Sequence, residues 1–307
     1  MLGLALLGVG QLGAQTRPGA PQRPFVYQAN VGEVLIHATV MNKKHRVVTG
    51  LPESDFHVFE NGVPQQLSYF AQEDAPVSVG ILIDNSGSMR DKRRDVVQAA
   101  LNFVRSSNPQ DEVFIVNFND EYYLDAPFTN SIARMEEGLD RIESAGGTAL
   151  YDAVIASYDY LTRNAKNRKH VLLIITDGDD NASRYTLEQT VRLLQAKNPP
   201  LIYCIGLEEG DDTSAMRNSA KRTLKALSDA TGGEAFFPKD LSQVNSITKS
   251  VAEDIRAQYT MSYHSNQTGP GFRTIHVVVQ DPKIKHLIVQ TRRGYYPDAQ
   301  RPSQSAP

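Results

Sequence analysis

Gly80-Ile81-Leu82-Ile83-Asp84-Asn85-Ser86-Gly87-Ser88-Met89 sets an acid and two hydroxyls in a tight turn between an apolar run and a helical period. The run begins at Val77 and reads as a strand; the period from Asp91 to Arg105 reads as the helix that follows it. The same alternation continues outward. Strand patterns at Val113 to Phe118, Val171 to Ile175, Leu201 to Leu207 and Ala235 to Phe237 are separated by helical patterns. Those helices are expected at Ser131 to Ile142, Leu150 to Arg163, Leu187 to Ala196, Ser219 to Ala230 and Leu241 to Gln258. Short apolar strands alternating with helices predict an α/β domain with a doubly wound, mainly parallel sheet covered on both faces. The last helix shows its buried stripe directly in Leu241, Val244, Ile247, Val251 and Ile255. In such sheets ligands bind at the carboxyl ends of the strands, so Asp84, Ser86 and Ser88 are expected to face one small volume. All three offer oxygen, the ligand type that a hard cation requires.

Outside 77–258 the period changes to two. Val34 to Val40 alternates, and Phe56 to Phe59 meets Val63 to Phe70 across Asn61-Gly62, a strong signal for a tight hairpin. After the α/β segment, Tyr259, Met261 and Tyr263 alternate, and strands are expected at Ile275 to Val279 and Ile284 to Arg292, ahead of Gly294-Tyr295-Tyr296-Pro297. Each flank alone is too small to be stable, which predicts one β unit built from 30–72 with 259–297 and an α/β domain inserted in it. Residues 15–29 carry Pro18, Pro21 and Pro24 and read as a linker, and the polar 298–307 as a disordered tail.

The apolar stretch over 1–14 ends in small residues and resembles the later part of a secretory signal peptide, although a charged opening segment is missing, as from a late start codon or a truncated record. It is too short to span a bilayer and no later segment is long enough, so no transmembrane segment is expected and the protein is placed in the secreted or periplasmic, cell-envelope class. Cys204 is the only cysteine, which excludes an intrachain disulfide and thiolate-rich zinc sites, and its apolar strand predicts a buried, inert thiol. The 307 residues are 40% apolar and 22% charged, and 32 basic against 35 acidic side chains give a net charge of -3. That balance is no footprint for nucleic acid. The densest basic run, Arg90 to Arg94, opens a helix and reads as a solvated face.

Alone, Asp-x-Ser-x-Ser is a common turn composition, Thr148 an N-cap for the helix at Leu150, and Asp177-Gly178 a turn. Together they say more. Asp84-Asn85-Ser86-Gly87-Ser88 resembles the metal ion-dependent adhesion site of von Willebrand factor type A domains. Gly146-Gly147-Thr148 is similar to the second loop of that family, whose threonine is a ligand, and Ile174-Ile175-Thr176-Asp177-Gly178 to the third, whose aspartate completes the site. The resemblance implies the metal ligands Asp84, Ser86, Ser88, Thr148 and Asp177. Asp152, Asp179 and Asp180 lie near these loops in the sequence and read as solvated loop carboxylates, with a supporting role or a local negative field as the alternative. The flanks around Phe56-His57-Val58-Phe59 and Gly294-Tyr295-Tyr296 resemble exported bacterial proteins described as VWFA-related.

The family implies a non-enzymatic adhesion module in which the metal recruits an Asp or Glu carboxylate from a partner protein. Mg2+ suits the oxygen set best, with Mn2+ or Ca2+ as alternatives. Two other readings stay open: a Mg-dependent hydrolase at the strand ends, and a scaffold whose metal only staples loops. Against the hydrolase, a phosphatase of the haloacid dehalogenase type needs an acid where Ser86 stands, and no G-x-S-x-G or P-loop is present.

Overall fold

The computed structural model describes residues 32–72, 75–106, 108–139, 144–178, 180–207 and 214–297; the leader, linker and tail expected over 1–14, 15–29 and 298–307 lie outside the described residues. The chain opens with β1 (Glu33–Met41), β2 (Phe56–Glu60), β3 (Val63–Gln65) and β4 (Leu67–Ala71). A strand–helix series follows: β5 (Val77–Asp84), α1 (Arg93–Arg105), β6 (Glu112–Phe118), β7 (Tyr122–Thr129), α2 (Ile132–Leu139), α3 (Leu150–Asn164) and β8 (Lys169–Thr176). It continues through α4 (Leu187–Leu194), β9 (Leu201–Gly206), α5 (Ser214–Thr231), β10 (Ala235–Phe236) and α6 (Val244–Ala257). The chain closes with β11 (Tyr259–His264), β12 (Arg273–Val279), β13 (Ile288–Gln290) and β14 (Gly294–Tyr295).

The central sheet has six strands in the order β10-β9-β8-β5-β6-β7, all parallel except the last pair. β5 lies in the middle and every one of its residues is buried, as a strand covered on both faces requires. Gly80 is the close approach that makes this packing fit. A Cβ there would stand 2.3 Å from the Phe114 ring and 2.7 Å from Leu172. One face of the sheet packs Val79, Ile81 and Ile83 with Val96 and Phe103 of α1 and Val251 and Ile255 of α6. The other packs Leu82, Phe114, Leu172 and Ile174 with Leu150 and Val154 of α3 and Leu224 and Leu227 of α5. Each such side chain contributes about 1.5–3 kcal/mol on burial, so the two layers hold the frame of the strand ends firmly. Of the stripe expected on the last helix, Val244, Val251 and Ile255 are buried while Leu241 and Ile247 pack against that core from its edge.

Strands from the two ends of the chain pair with each other. β1 runs antiparallel to β11, with Ile36 opposite Met261, and β2 antiparallel to β12, with Val58 opposite Val277. Two four-stranded sheets result, β13-β1-β11-β4 and β14-β12-β2-β3. Val34, Ile36, Phe56, Tyr259, Met261, Tyr263 and Val277 share one apolar cluster, with Phe56 and Tyr259 rings 4.7 Å apart. Asn61 and Gly62 have φ of 49° and 79°, the left-handed pair that a tight hairpin needs.

Several sequence expectations change here. The strand expected over Val63 to Phe70 breaks at Gln66, because β3 belongs to one sheet and β4 to the other. The strand expected over Ile284 to Arg292 shrinks to β13, since Ile284 and Leu287 turn into the core from irregular backbone. β7 was not anticipated. It is an edge strand with Tyr122, Tyr123 and Leu124 exposed, two register shifts, and Asp125 and Pro127 inside it, so it lacks apolar alternation. Among the described residues no helix is long and apolar enough to cross a membrane.

The paired flanks adjoin the amino end of β5 and the candidate site its carboxyl end. Eight residues of strand separate them by about 25 Å.

Candidate metal centre

Asp84 is the last residue of β5 and is 1% exposed. Its Oδ1 accepts the Ser86 backbone N–H at 2.8 Å, the local bond that turns the chain out of the strand. Its Oδ2 accepts the Thr176 hydroxyl at 2.5 Å from the end of β8, the neighbouring strand. The loop then makes a 3-10 turn over Gly87–Met89, held down by Met89, whose side chain is wholly buried in the core. With Met89 turned inward, the hydroxyls of Ser86 and Ser88 stand 3.1 Å apart, and Ser88 remains exposed. The Ser88 hydroxyl donates to Asp177 Oδ1 at 2.9 Å, so the first and third loops meet.

The second loop is fitted between them. Gly87 N–H donates to the Gly146 carbonyl at 3.2 Å, and Ala145 N–H to the Asn85 carbonyl at 3.0 Å. Gly146 has φ of 80° and lies against Asp120, whose Oδ1 accepts the Gly147 N–H at 2.8 Å. Thr148 is buried, and its backbone is clasped by Asn181: its N–H donates to Asn181 Oδ1 at 2.8 Å and its carbonyl accepts the Asn181 N–H at 3.0 Å. Its hydroxyl oxygen lies 3.6 Å from the position a Cβ on Gly178 would take, beside Asp177. Thr148 does not cap the following helix. The N-cap of α3 is Ala149, with no side-chain cap bond.

Two other expectations are revised. The run Arg90 to Arg94 is not simply solvated: Arg93 donates to Asn85 Oδ1 at 2.5 Å and to the Leu139 carbonyl at 2.6 Å, tying the first loop to α2. Lys92 reaches across to Asp177 Oδ2 at 2.5 Å. Asp152 and Asp180 likewise spend oxygens on nearby backbone: Asp152 Oδ1 accepts from Arg184 and Tyr185 of the third loop, and Asp180 Oδ2 from Tyr151 in the first turn of α3. Asp179 lies outside the described residues. Sequence reading had no signal for Lys92 or Thr176 at the site, because each acts on a residue far along the chain.

Burial pushes the Asp84 carboxyl up to about 6, and the Asp177 carboxylate adds to this, while hydrogen bonds from Thr176 and Ser86 draw it back down. A divalent cation beside these two acids would relieve that desolvation. The oxygen spacing also suits one: ligands about 2.1 Å from an octahedral Mg2+ stand about 3 Å from one another, and larger Ca2+ spreads them further. The Ser86–Ser88 and Ser88–Asp177 separations of 3.1 and 2.9 Å are direct hydrogen bonds, which already hold these oxygens at spacings of that order. Among the described residues no group of three or more His, Cys, Asp or Glu is placed to hold a metal. The candidate set differs from such clusters in drawing three of its oxygens from hydroxyls.

Residues 79–179 match the sequence model of the von Willebrand factor type A domain. No curated protein matches the chain. Among solved structures, proximal thread matrix protein 1 from the mussel byssus is similar over 64% of this chain and 51% of its own, at 17% identity and a TM-score of 0.52. The chain thus spans about half the length of that protein. A structure of the same mussel protein with a zinc-occupied MIDAS motif gives a TM-score of 0.52 at 16% identity, covering 64% of this chain and 50% of its own. A von Willebrand factor type A structure from Catenulispora acidiphila covers 89% of this chain and 76% of its own, at 16% identity and a TM-score of 0.51. At these identities the likeness concerns the fold.

Proposed function

This chain carries a von Willebrand factor type A domain, and from that premise we propose that Asp84, Ser86, Ser88, Thr148 and Asp177 hold one divalent cation, Mg2+, which recruits a carboxylate from a partner protein. Domains of this kind mediate metal-dependent adhesion or interaction and are generally non-enzymatic. The observation that carries the reading is the junction of three separate loops at one strand end, with the Ser88 hydroxyl oxygen about 3 Å from both the Ser86 hydroxyl and Asp177, beside a buried Asp84. The exposure of Ser88 favours recruitment over a metal that merely staples loops, since an open rim leaves a coordination position for an incoming anion. The zinc-occupied motif of the mussel protein supports a divalent ion in a fold of this kind. As part of the same reading, the partner offers an Asp or Glu side chain, and the protein works outside the cytoplasm.

Calorimetric titration of Mg2+ into the wild type and four variants tests the ligand set. Asp84→Ala removes one of two charged ligands and is expected to abolish measurable binding. Ser86→Ala, Ser88→Ala and Thr148→Ala each delete a neutral ligand that water can replace, and are expected to weaken binding less. Unchanged affinity in a folded Asp84→Ala protein overturns the assignment.

A further inference from the structure

The two carboxylates are not alone at the site. We propose, resting on the metal-site reading above, that Lys92 is a tethered counter-ion which an incoming cation must displace, and that it sets the affinity of the site. Its ammonium lies 2.5 Å from Asp177 Oδ2, and the two side chains are 12% and 1% exposed. Asp177 Oδ1 meanwhile accepts from Ser88, so both oxygens of a proposed metal ligand are engaged by the protein itself.

The position of Lys92 on its own element does not explain this contact. It is the N-cap residue of α1, a 13-residue helix, and the amino end of a helix disfavours a positive charge. What offsets that cost is the carboxylate of Asp177, 85 residues away along the chain. The charge count follows. Asp84 and Asp177 with Lys92 in place leave one net negative charge, not two, so a divalent cation arriving beside a retained ammonium meets like-charge repulsion at a single carboxylate. The ammonium therefore leaves as the metal binds. Its four-carbon stem is long enough to swing outward, and Asp95, exposed one turn along α1, offers it a new acceptor.

Two measurements on the full-length chain test this, with Mn2+ as the probe. In the wild type, reductive methylation read by mass spectrometry is expected to label Lys92 slowly in chelator and faster in saturating Mn2+; equal labelling in both overturns the proposal. By calorimetry, Lys92→Met, which keeps the stem and removes the charge, is expected to bind Mn2+ about tenfold or more tightly than the wild type, the scale on which one neighbouring charge alters a carboxylate's hold on a proton. Lys92→Arg keeps the charge and is expected to stay near the wild type, so a gain for Arg equal to that for Met overturns the proposal. Equal affinity in wild type and Lys92→Met, with Asp84→Ala silent, removes the role of Lys92 but leaves the metal site standing. Absence of binding in every protein removes the metal site itself, and this proposal with it.

Discussion

Burying Asp84 at 1% exposure makes stability depend on pH in a way that identifies the residue. Its folded-state value of about 6 lies above the ordinary 3.8, so the folded state binds the proton more tightly than the unfolded state does. The stability this contributes is present in full below about pH 4 and is lost as pH rises through 6, at a scale of about 3 kcal/mol. In chelator the wild type is therefore expected to lose thermal stability from this group between about pH 4 and 6, and Asp84→Asn to lose that component; an identical pH profile for the two contradicts the burial argument. Metal affinity runs the opposite way and is expected to fall below about pH 6, where Asp84 takes up a proton. At this scale the sequence shows donor types well: an acid and two hydroxyls after an apolar strand carry their chemistry in their names. It hides partnership. Lys92 with Asp177 and Thr176 with Asp84 are contacts made only when segments 85 and 92 residues apart along the chain become neighbours.

Among the elements, the second loop shows why glycine is needed at one position. Gly146 has φ of 80°, and a Cβ there would stand 2.0 Å from Asp120 Oδ2. Gly146→Ala is expected to cost about 1–2 kcal/mol through the left-handed backbone and the displaced carboxylate, and to weaken metal binding by shifting Thr148. Urea unfolding alongside metal titration checks both, and an unaffected metal affinity argues against the role of this loop. The apolar runs of the central sheet and the stripe of α6 were legible because burial on both faces, or on one helical face, leaves a clear period. β7 was not, because an exposed edge strand has no inner face to impose alternation along its length. The break at Gln66 escaped for a related reason: a strand that changes sheets keeps its composition and changes only its partner.

Across the whole molecule, the α/β layers and the paired flanks meet at a polar junction far from the candidate site. Asp254 of α6 accepts from Thr39 of β1 at 2.9 Å and from Tyr203 of β9, and Gln258 donates to Tyr203 at 3.0 Å. Arg292, wholly enclosed, donates to the carbonyls of Leu35 and Ala196. We propose that the flanks fold as one unit, which is legible in their alternation although the identity of each partner strand is not. A chain cut after Ala257 leaves β1 without β11 and β2 without β12, and is expected to lose protease protection over 33–71; a protected amino-terminal segment in that truncation contradicts the shared unit. The central claim is a divalent cation at the carboxyl end of β5, and its most direct measurement is anomalous X-ray diffraction from crystals grown in Mn2+. One strong peak is expected among the oxygens of Asp84, Ser86, Ser88, Thr148 and Asp177; a map with no peak there, from crystals in saturating Mn2+, would contradict the metal site.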